Sequence, residues 1–182
     1  MVKKHTLSQM IIAAELAVGL ALCSKITVPL GLIPLTGQTL AVGLIASLVP
    51  TVTGTWTIAI YLLLGLIGLP VFAGSTAGLA ALFGPTGGYL WGFFLYVWIM
   101  GAFCKGLKPT SALIIGNVVG ALVQLIAGAY WLVLTADLTW SAAMSGGVVP
   151  FLIPALIKLV LVVIGAKAIF RRVPARFGLR NL

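Results

Sequence analysis

Six runs of apolar residues dominate this sequence and constrain what it can fold into. Apolar residues make up 62% of the chain and charged residues 7%, whereas a soluble domain is about half apolar and about a quarter charged. Too few polar side chains are present to cover a water-facing surface. The composition therefore predicts an all-α integral membrane protein with one transmembrane domain, residues 1–182. Its six predicted spans cover about residues 7–23, 39–49, 56–69, 87–103, 111–134 and 148–170.

The positively charged residues predict the orientation of these spans. Eleven Lys and Arg oppose two acids, Glu15 and Asp137, and basic residues collect on the cytoplasmic side of membrane proteins. We predict a multi-pass protein of the bacterial cell membrane with both termini cytoplasmic, and its basic tail facing membrane lipid rather than nucleic acid. Nine basic residues then lie inside: Lys3, Lys4, Lys105, Lys108, Lys167, Arg171, Arg172, Arg176 and Arg180.

Two apolar segments between the spans, residues 25–38 and 70–86, are rich in glycine and proline and lie on the outer side in this topology. Irregular backbone is tolerated at membrane depth where it is buried in protein or lines a cavity. The segments are either simple re-entrant connectors or lids over an outward-facing pocket. Because both segments lie on the same side, we favour the interpretation as lids over that as connectors.

Lys158 lies about ten residues, or about 15 Å, into the sixth span. A charge at mid-membrane costs at least about 2.5–3.5 kcal/mol. Neither acid suits it as a partner, because Asp137 is in a loop and Glu15 belongs to the cytoplasmic half of the first span. The alternatives are a lysine that snorkels to the interface and a cation that binds a ligand. We favour the second and predict a carboxylate ligand.

Five further residues are candidates for substrate binding. Gln38 can both donate and accept hydrogen bonds, and Ser75 and Thr86 offer hydroxyl groups. Gly88 permits a tight turn that exposes backbone N–H groups at a helix start. Tyr89 is either an interfacial anchor or part of the pocket wall. Other polar-tipped residues cannot be oriented, because membrane helices are apolar all round: Trp56, Tyr61, Asn117, Gln124 and Tyr130.

Ala13, Ala17 and Ala21 recur at four-residue spacing on the first span. Small residues in such a stripe let helices approach closely. The stripe therefore serves either internal packing or docking of a separate membrane subunit, and we predict docking. Two glycine pairs in later spans, Gly88/Gly92 and Gly116/Gly120, are assigned to internal packing.

The sequence lacks the residue sets of several chemistries. It has one histidine, His5, so that no Ser-His-Asp set or histidine-ligated metal site can be assembled. No G-x-x-x-x-G-K-[ST] motif for ATP is present. We therefore predict that the chain is not an enzyme and that it needs no cofactor.

Four motifs occur in order along the chain: residues 34–42 (PLTGQTLAV), 66–74 (LIGLPVFAG), 83–90 (FGPTGGYL), and 149–151 (VPF) followed by Lys158. Together they resemble the BioY family, the biotin-specific substrate-binding (S) components of energy-coupling-factor (ECF) vitamin transporters. The resemblance covers nearly the whole chain. It implies a six-helix S-component fold with a biotin pocket open to the outside.

The resemblance also implies partners and roles. The partners are a transmembrane coupling subunit, expected to meet the alanine stripe, and two cytoplasmic ATPase subunits. The resemblance implies that biotin is the ligand and that the first outer loop closes over it. We expect Lys158 to bind the biotin carboxylate, while Gln38, Ser75, Thr86 and Tyr89 hold the ureido end or shape the walls; the opposite ligand polarity stays open.

One departure from the family pattern concerns the sixth span. A Gly-Asp pair usually precedes Leu-x-Lys, but this chain has Pro154-Ala155. The missing acid leaves Lys158 without a neutralising neighbour.

The sequence leaves three functions to compare. We predict a high-affinity biotin-binding subunit. The alternatives are a stand-alone carrier or channel for another small organic anion and a membrane enzyme, for which no catalytic set is present.

Overall fold

The computed structural model describes residues 4–31 and 33–172, which form helices apart from one pair of two-residue strands and the connecting segments. The strands are β1 (Thr27–Val28) and β2 (Leu35–Thr36), which pair antiparallel. The helices are α1 (Lys4–Ser24), α2 (Gln38–Leu48), α3 (Thr51–Leu66), α4 (Leu79–Phe83), α5 (Gly87–Gly106), α6 (Pro109–Thr135), α7 (Trp140–Gly147) and α8 (Val149–Arg172).

Four helical stretches in the described residues are long and apolar enough to cross a membrane: Leu7–Ser24, Gly87–Gly106, Pro109–Thr135 and Trp140–Arg172. Helices α2 and α3 are apolar but have 11 and 16 residues. At 1.5 Å per residue they are about 17 and 24 Å long, shorter than a hydrocarbon core of about 30 Å. The all-α prediction is confirmed, and the count of six spans stays a prediction.

The third predicted span differs from the observed helix at its start. Helix α3 begins at Thr51, directly after Pro50, rather than at Trp56. Threonine, valine and glycine have low helix propensity, which is why the sequence favoured a later start. Tertiary packing overrides that preference: Thr53 is buried, and a Cβ on Gly54 would lie 2.9 Å from Val97 of α5.

Helices α5 and α6 approach each other closely through glycines. A Cβ on Gly88 would lie 2.1 Å from the Cβ of Trp131, and a Cβ on Gly128 would lie 2.3 Å from the ring of Tyr89. Because no side chain occupies these positions, the aromatic rings of one helix rest against the backbone of the other. Helices α5 and α6 therefore form a closely packed pair.

Helix α1 packs along α3 and presents its alanines inward. Ala13 and Ala17 are 0% exposed and Ala21 is partly buried. The predicted docking role of Ala13 and Ala17 is therefore wrong for the folded bundle, because a residue without exposed surface offers a partner nothing to contact. The helix is apolar on both faces, so that sequence spacing alone did not reveal which stripe faces inward. Its outer face carries Leu7, Ile11, Ala14, Val18 and Leu22.

The two glycine- and proline-rich segments meet at one end of the bundle. Ser24 at the end of α1 donates a hydrogen bond from Oγ to the Val71 carbonyl, 2.6 Å away. The Lys25 ammonium donates to the Pro70 carbonyl and to Ser75 Oγ. Phe72 is inserted against Gly65 of α3 and is 1% exposed. These contacts hold both segments over the bundle interior.

Candidate functional site

Beneath these segments lie two adjoining spaces. The loop-side cavity has a volume of about 270 Å³ and is lined by both segments together with parts of α2, α5, α6 and α8. The mid-bundle cavity has a volume of about 160 Å³ and extends between α5, α6 and α8. The first is near the lower end of the range of about 300–1,000 Å³ for small-molecule sites. Both cavities share six lining residues: Leu35, Thr39, Gln124, Leu125, Phe151 and Lys158.

Lys158 extends from α8 toward the start of α2. Its Nζ donates to the Thr36 carbonyl and to Thr39 Oγ1, both 2.6 Å away. An ammonium has three N–H donors, so these two bonds leave one for another acceptor. Both partners are uncharged, and Lys158 forms no ion pair with a carboxylate within the described part of the chain. The side chain lines both cavities and so offers an uncompensated positive charge to a ligand.

Gln38 is 5% exposed and belongs to a hydrogen-bond network under the loop-side cavity. Its Oε1 accepts from Thr36 Oγ1 at 2.8 Å, and its Nε2 donates to the Tyr61 hydroxyl at 2.5 Å. That hydroxyl in turn donates to the Val71 carbonyl at 2.9 Å. The network joins β2, α2, α3 and the second segment. Gln38 therefore fixes the two segments as well as lining the cavity.

Gln124 of α6 is 2% exposed and lines both cavities. Its Nε2 donates to the Tyr89 carbonyl at 3.2 Å, whereas its Oε1 has no hydrogen-bond partner. Tyr89 is held by its hydroxyl, which donates to the Gly147 carbonyl at 2.8 Å. Tyr89 therefore contributes its ring to the cavity wall, while its hydroxyl is bonded elsewhere.

A second buried amide, Asn117, lines the mid-bundle cavity. Its Oδ1 accepts from the Tyr96 hydroxyl at 2.9 Å, and its Nδ2 donates to Ser47 Oγ at 2.9 Å and to the Leu113 carbonyl at 2.7 Å. With both ends bonded, this amide ties α2 and α5 to α6 and stabilises the bundle beside the cavity.

The structure brings four of the six predicted substrate-binding residues to the loop-side cavity: Gln38, Thr86, Tyr89 and Lys158. The other two require correction. Ser75 is exposed in the turn over residues 73–75 and contacts Lys25, while its neighbour Thr76 lines the cavity. Gly88 faces Trp131 on the side of α5 that packs against α6, because only a residue without a side chain fits there.

Several lining residues were not selected from the sequence. Phe72 and Phe151 form apolar walls, and Thr39 accepts a hydrogen bond from Lys158. Gln124 was noted but not oriented, since no amphipathic period marks the inner face of a membrane helix. Its polarity was the available signal: a buried amide in an apolar helix needs partners. Among the described residues, no cluster of His, Cys, Asp and Glu could hold a metal ion.

The chain is similar to known proteins over most of its length. The model of the BioY family matches residues 1–175. The biotin transporter BioY2 of Lactococcus lactis subsp. cremoris is 42% identical over 158 residues, which cover 84% of each protein. The biotin transporter BioY of Thermotoga maritima is 38% identical over 136 residues, covering 74% of this chain and 79% of the relative.

A solved structure shares the fold. The crystal structure of the S component for biotin from an ECF-type ABC transporter superposes with a TM-score of 0.86 at 24% sequence identity, covering 99% of this chain and 100% of that one. At this identity the likeness shows the fold alone, and it confirms the predicted S-component architecture. The family model and the curated relatives match the sequence itself over most of its length. The chain therefore belongs to the BioY family.

Proposed function

We propose that this chain is the high-affinity biotin-binding subunit of an ECF-type vitamin uptake transporter. It captures biotin from the outer side of the membrane and passes it on through an ATP-driven coupling module. The relatives are named biotin transporters, and the cavities beneath the two apolar segments provide the binding site.

One observation carries the proposal: Lys158 holds an ammonium with an unused N–H at the junction of two largely apolar cavities. Biotin has an apolar ring and chain, a carboxylate that requires a cation, and a ureido group that requires donors and acceptors. Ala155, where the family pattern has an acid, lines the mid-bundle cavity together with Lys158. Because no carboxylate occupies that position, Lys158 is free to pair with the carboxylate of biotin.

The charges support a topology in which the cavities open outward. Six spans beginning in the cytoplasm put the loop after Lys105 and the end of α8 at Arg171 on the inner side. Lys25 and both apolar segments then lie outside, directly above the loop-side cavity. This arrangement follows the positive-inside rule and lets the segments act as lids.

The outer face of α1 replaces the alanine stripe as the docking surface for the coupling subunit. Ile11, Val18 and Leu22 are 52%, 55% and 67% exposed. Val18→Trp and Leu22→Trp together are expected to abolish co-purification of the coupling subunit and to leave biotin affinity unchanged. Ile126→Trp, on the exposed side of α6, is the matched control. Normal co-purification with the double variant would refute this docking face.

Calorimetric titration of the detergent-purified chain with biotin tests the binding function. Uptake into liposomes tests its coupling: we expect binding without uptake for the chain alone, and ATP-dependent uptake once the coupling and ATPase subunits are added. Uptake by the chain alone would instead indicate a stand-alone carrier. Absence of biotin binding would overturn the proposal.

A further inference from the structure

Gln124 stands out among the buried amides because its oxygen is unpartnered. Of the three amide side chains that are buried in the described residues, Gln38 and Asn117 each have a bonded oxygen, accepting from Thr36 at 2.8 Å and from Tyr96 at 2.9 Å. Gln124 Oε1 has no donor, although the residue is 2% exposed. A buried acceptor without a donor is destabilising, and Gln124 lines both cavities.

The orientation of this amide is fixed by its surroundings. The Tyr89 carbonyl lies 3.2 Å from Nε2 and can only accept, so that exchanging the amide oxygen and nitrogen would place two acceptors face to face. Gly92 allows the side chain to lie against α5, since a Cβ there would be 3.0 Å from Gln124 Cγ. Tyr89 is itself anchored to the Gly147 carbonyl. The oxygen is therefore held in place before a ligand arrives.

We propose that Gln124 is a specificity-determining residue whose Oε1 accepts a hydrogen bond from an N–H group of the ligand. The inference rests on the proposed function and deepens it, because the ureido N–H groups are the N–H donors of biotin. Lys158 supplies a donor and Gln124 an acceptor, and both side chains line both cavities. A simple carboxylic acid satisfies the first and leaves the second unpaired.

The test compares biotin with two analogues, each methylated at one ureido nitrogen, on the wild-type chain and on Gln124→Met. Methionine has a similar length but no acceptor of comparable strength. We expect one of the two methylated analogues to bind the wild type at least about fivefold more weakly than biotin. In Gln124→Met we expect biotin to bind at least about fivefold more weakly, and the preference over that analogue to disappear.

The preference ratio separates recognition from structural damage, because a general distortion of the cavity weakens all three ligands alike. Ile126→Met, an exposed position two residues further along α6, is the matched control and is expected to keep the wild-type ratios. If Gln124→Met does not fold, Gln124→Asn takes its place, since it withdraws the oxygen by about 1.5 Å, one carbon–carbon bond, and keeps the amide.

Unchanged preference ratios in the variant would overturn the role of Gln124 while leaving biotin binding intact. The same holds if the wild type binds both methylated analogues as tightly as biotin. A wild-type chain that binds no biotin would instead overturn the proposed function, and this inference with it.

Discussion

Replacing Lys158 with methionine is the most direct test of the site. Methionine keeps an unbranched apolar side chain but removes the ammonium that bonds Thr36 and Thr39 and points into both cavities. A hydrogen bond to a charged group contributes about 1.5–3 kcal/mol. Since 1.4 kcal/mol is a factor of ten in affinity, we expect biotin to bind about 10-fold to 150-fold more weakly.

Biotinamide, the neutral amide of biotin, isolates the carboxylate contact. The substitution also removes the bonds from Lys158 to Thr36 and Thr39, and any resulting distortion affects both ligands equally. We therefore expect the wild type to prefer biotin over biotinamide and the variant to bind the two equally. This comparison is a thermodynamic cycle in which one arm changes the protein and the other changes the ligand.

Calorimetric titration in detergent provides all four dissociation constants. Lys167→Met is the control, because Lys167 is an exposed lysine nine residues further along the same helix, and it is expected to bind both ligands like the wild type. A Lys158→Met chain that still prefers biotin over biotinamide would refute the carboxylate assignment. The opposite ligand polarity, with the ureido oxygen at Lys158, would then be the alternative to test.

Three further substitutions probe the framework around the site. Tyr61→Phe removes the hydroxyl that bonds Gln38 and the Val71 carbonyl; at about 0.5–1.5 kcal/mol per bond we expect a lower midpoint of thermal unfolding. Lys25→Met breaks the contacts to Pro70 and Ser75, and we expect faster biotin dissociation in stopped-flow fluorescence. Gly88→Val would place a Cβ 2.1 Å from that of Trp131; we expect it to lower the yield of folded protein in gel filtration.

Tyr61→Phe and Gly88→Val each have a control variant, and all three substitutions have a contrary result. Tyr130→Phe changes a tyrosine that is 58% exposed, and a Tyr61→Phe chain as stable as this control would contradict the network. An unchanged dissociation rate in Lys25→Met would show that this lysine does not hold the segments closed. Gly19→Ala adds a Cβ where nothing lies within 4 Å; if Gly88→Val folds equally well, the close contact of α5 and α6 is not required.

The sequence was most informative for residues that are energetically unfavourable inside a membrane. Lys158 was found because a charge deep in an apolar helix is expensive, and the structure places it on both cavities. The all-helical class followed from the composition, which has too few polar residues for a water-facing surface. Residues 25–38 and 70–86 were selected because irregular apolar backbone requires protein cover, and they do line the loop-side cavity.

The sequence was least informative about which way a residue faces. Ala13 was assigned to partner contact, and Gly88 both to helix packing and to ligand contact; both residues pack inside the bundle. In water the polar side of a helix reveals the buried side, and in lipid both sides are apolar. The predicted role of Ser75 in substrate binding differs from the structure for another reason. The turn over residues 73–75 directs its side chain to Lys25, and residue type alone does not predict that local geometry.

Hydrogen-bond capacity separates the residues that hold this bundle together from those that we propose to contact its ligand. Buried donors and acceptors are normally paired, and the oxygens of Gln38 and Asn117 follow that rule. Lys158 retains an unused N–H, Gln124 retains an unpaired oxygen, and both residues line both cavities. A ligand that satisfies both must carry an acceptor, preferably anionic, and an N–H donor. Medium-chain fatty acids satisfy only Lys158, so we expect them to compete poorly with biotin in the titration; competition at equal concentration would refute this argument.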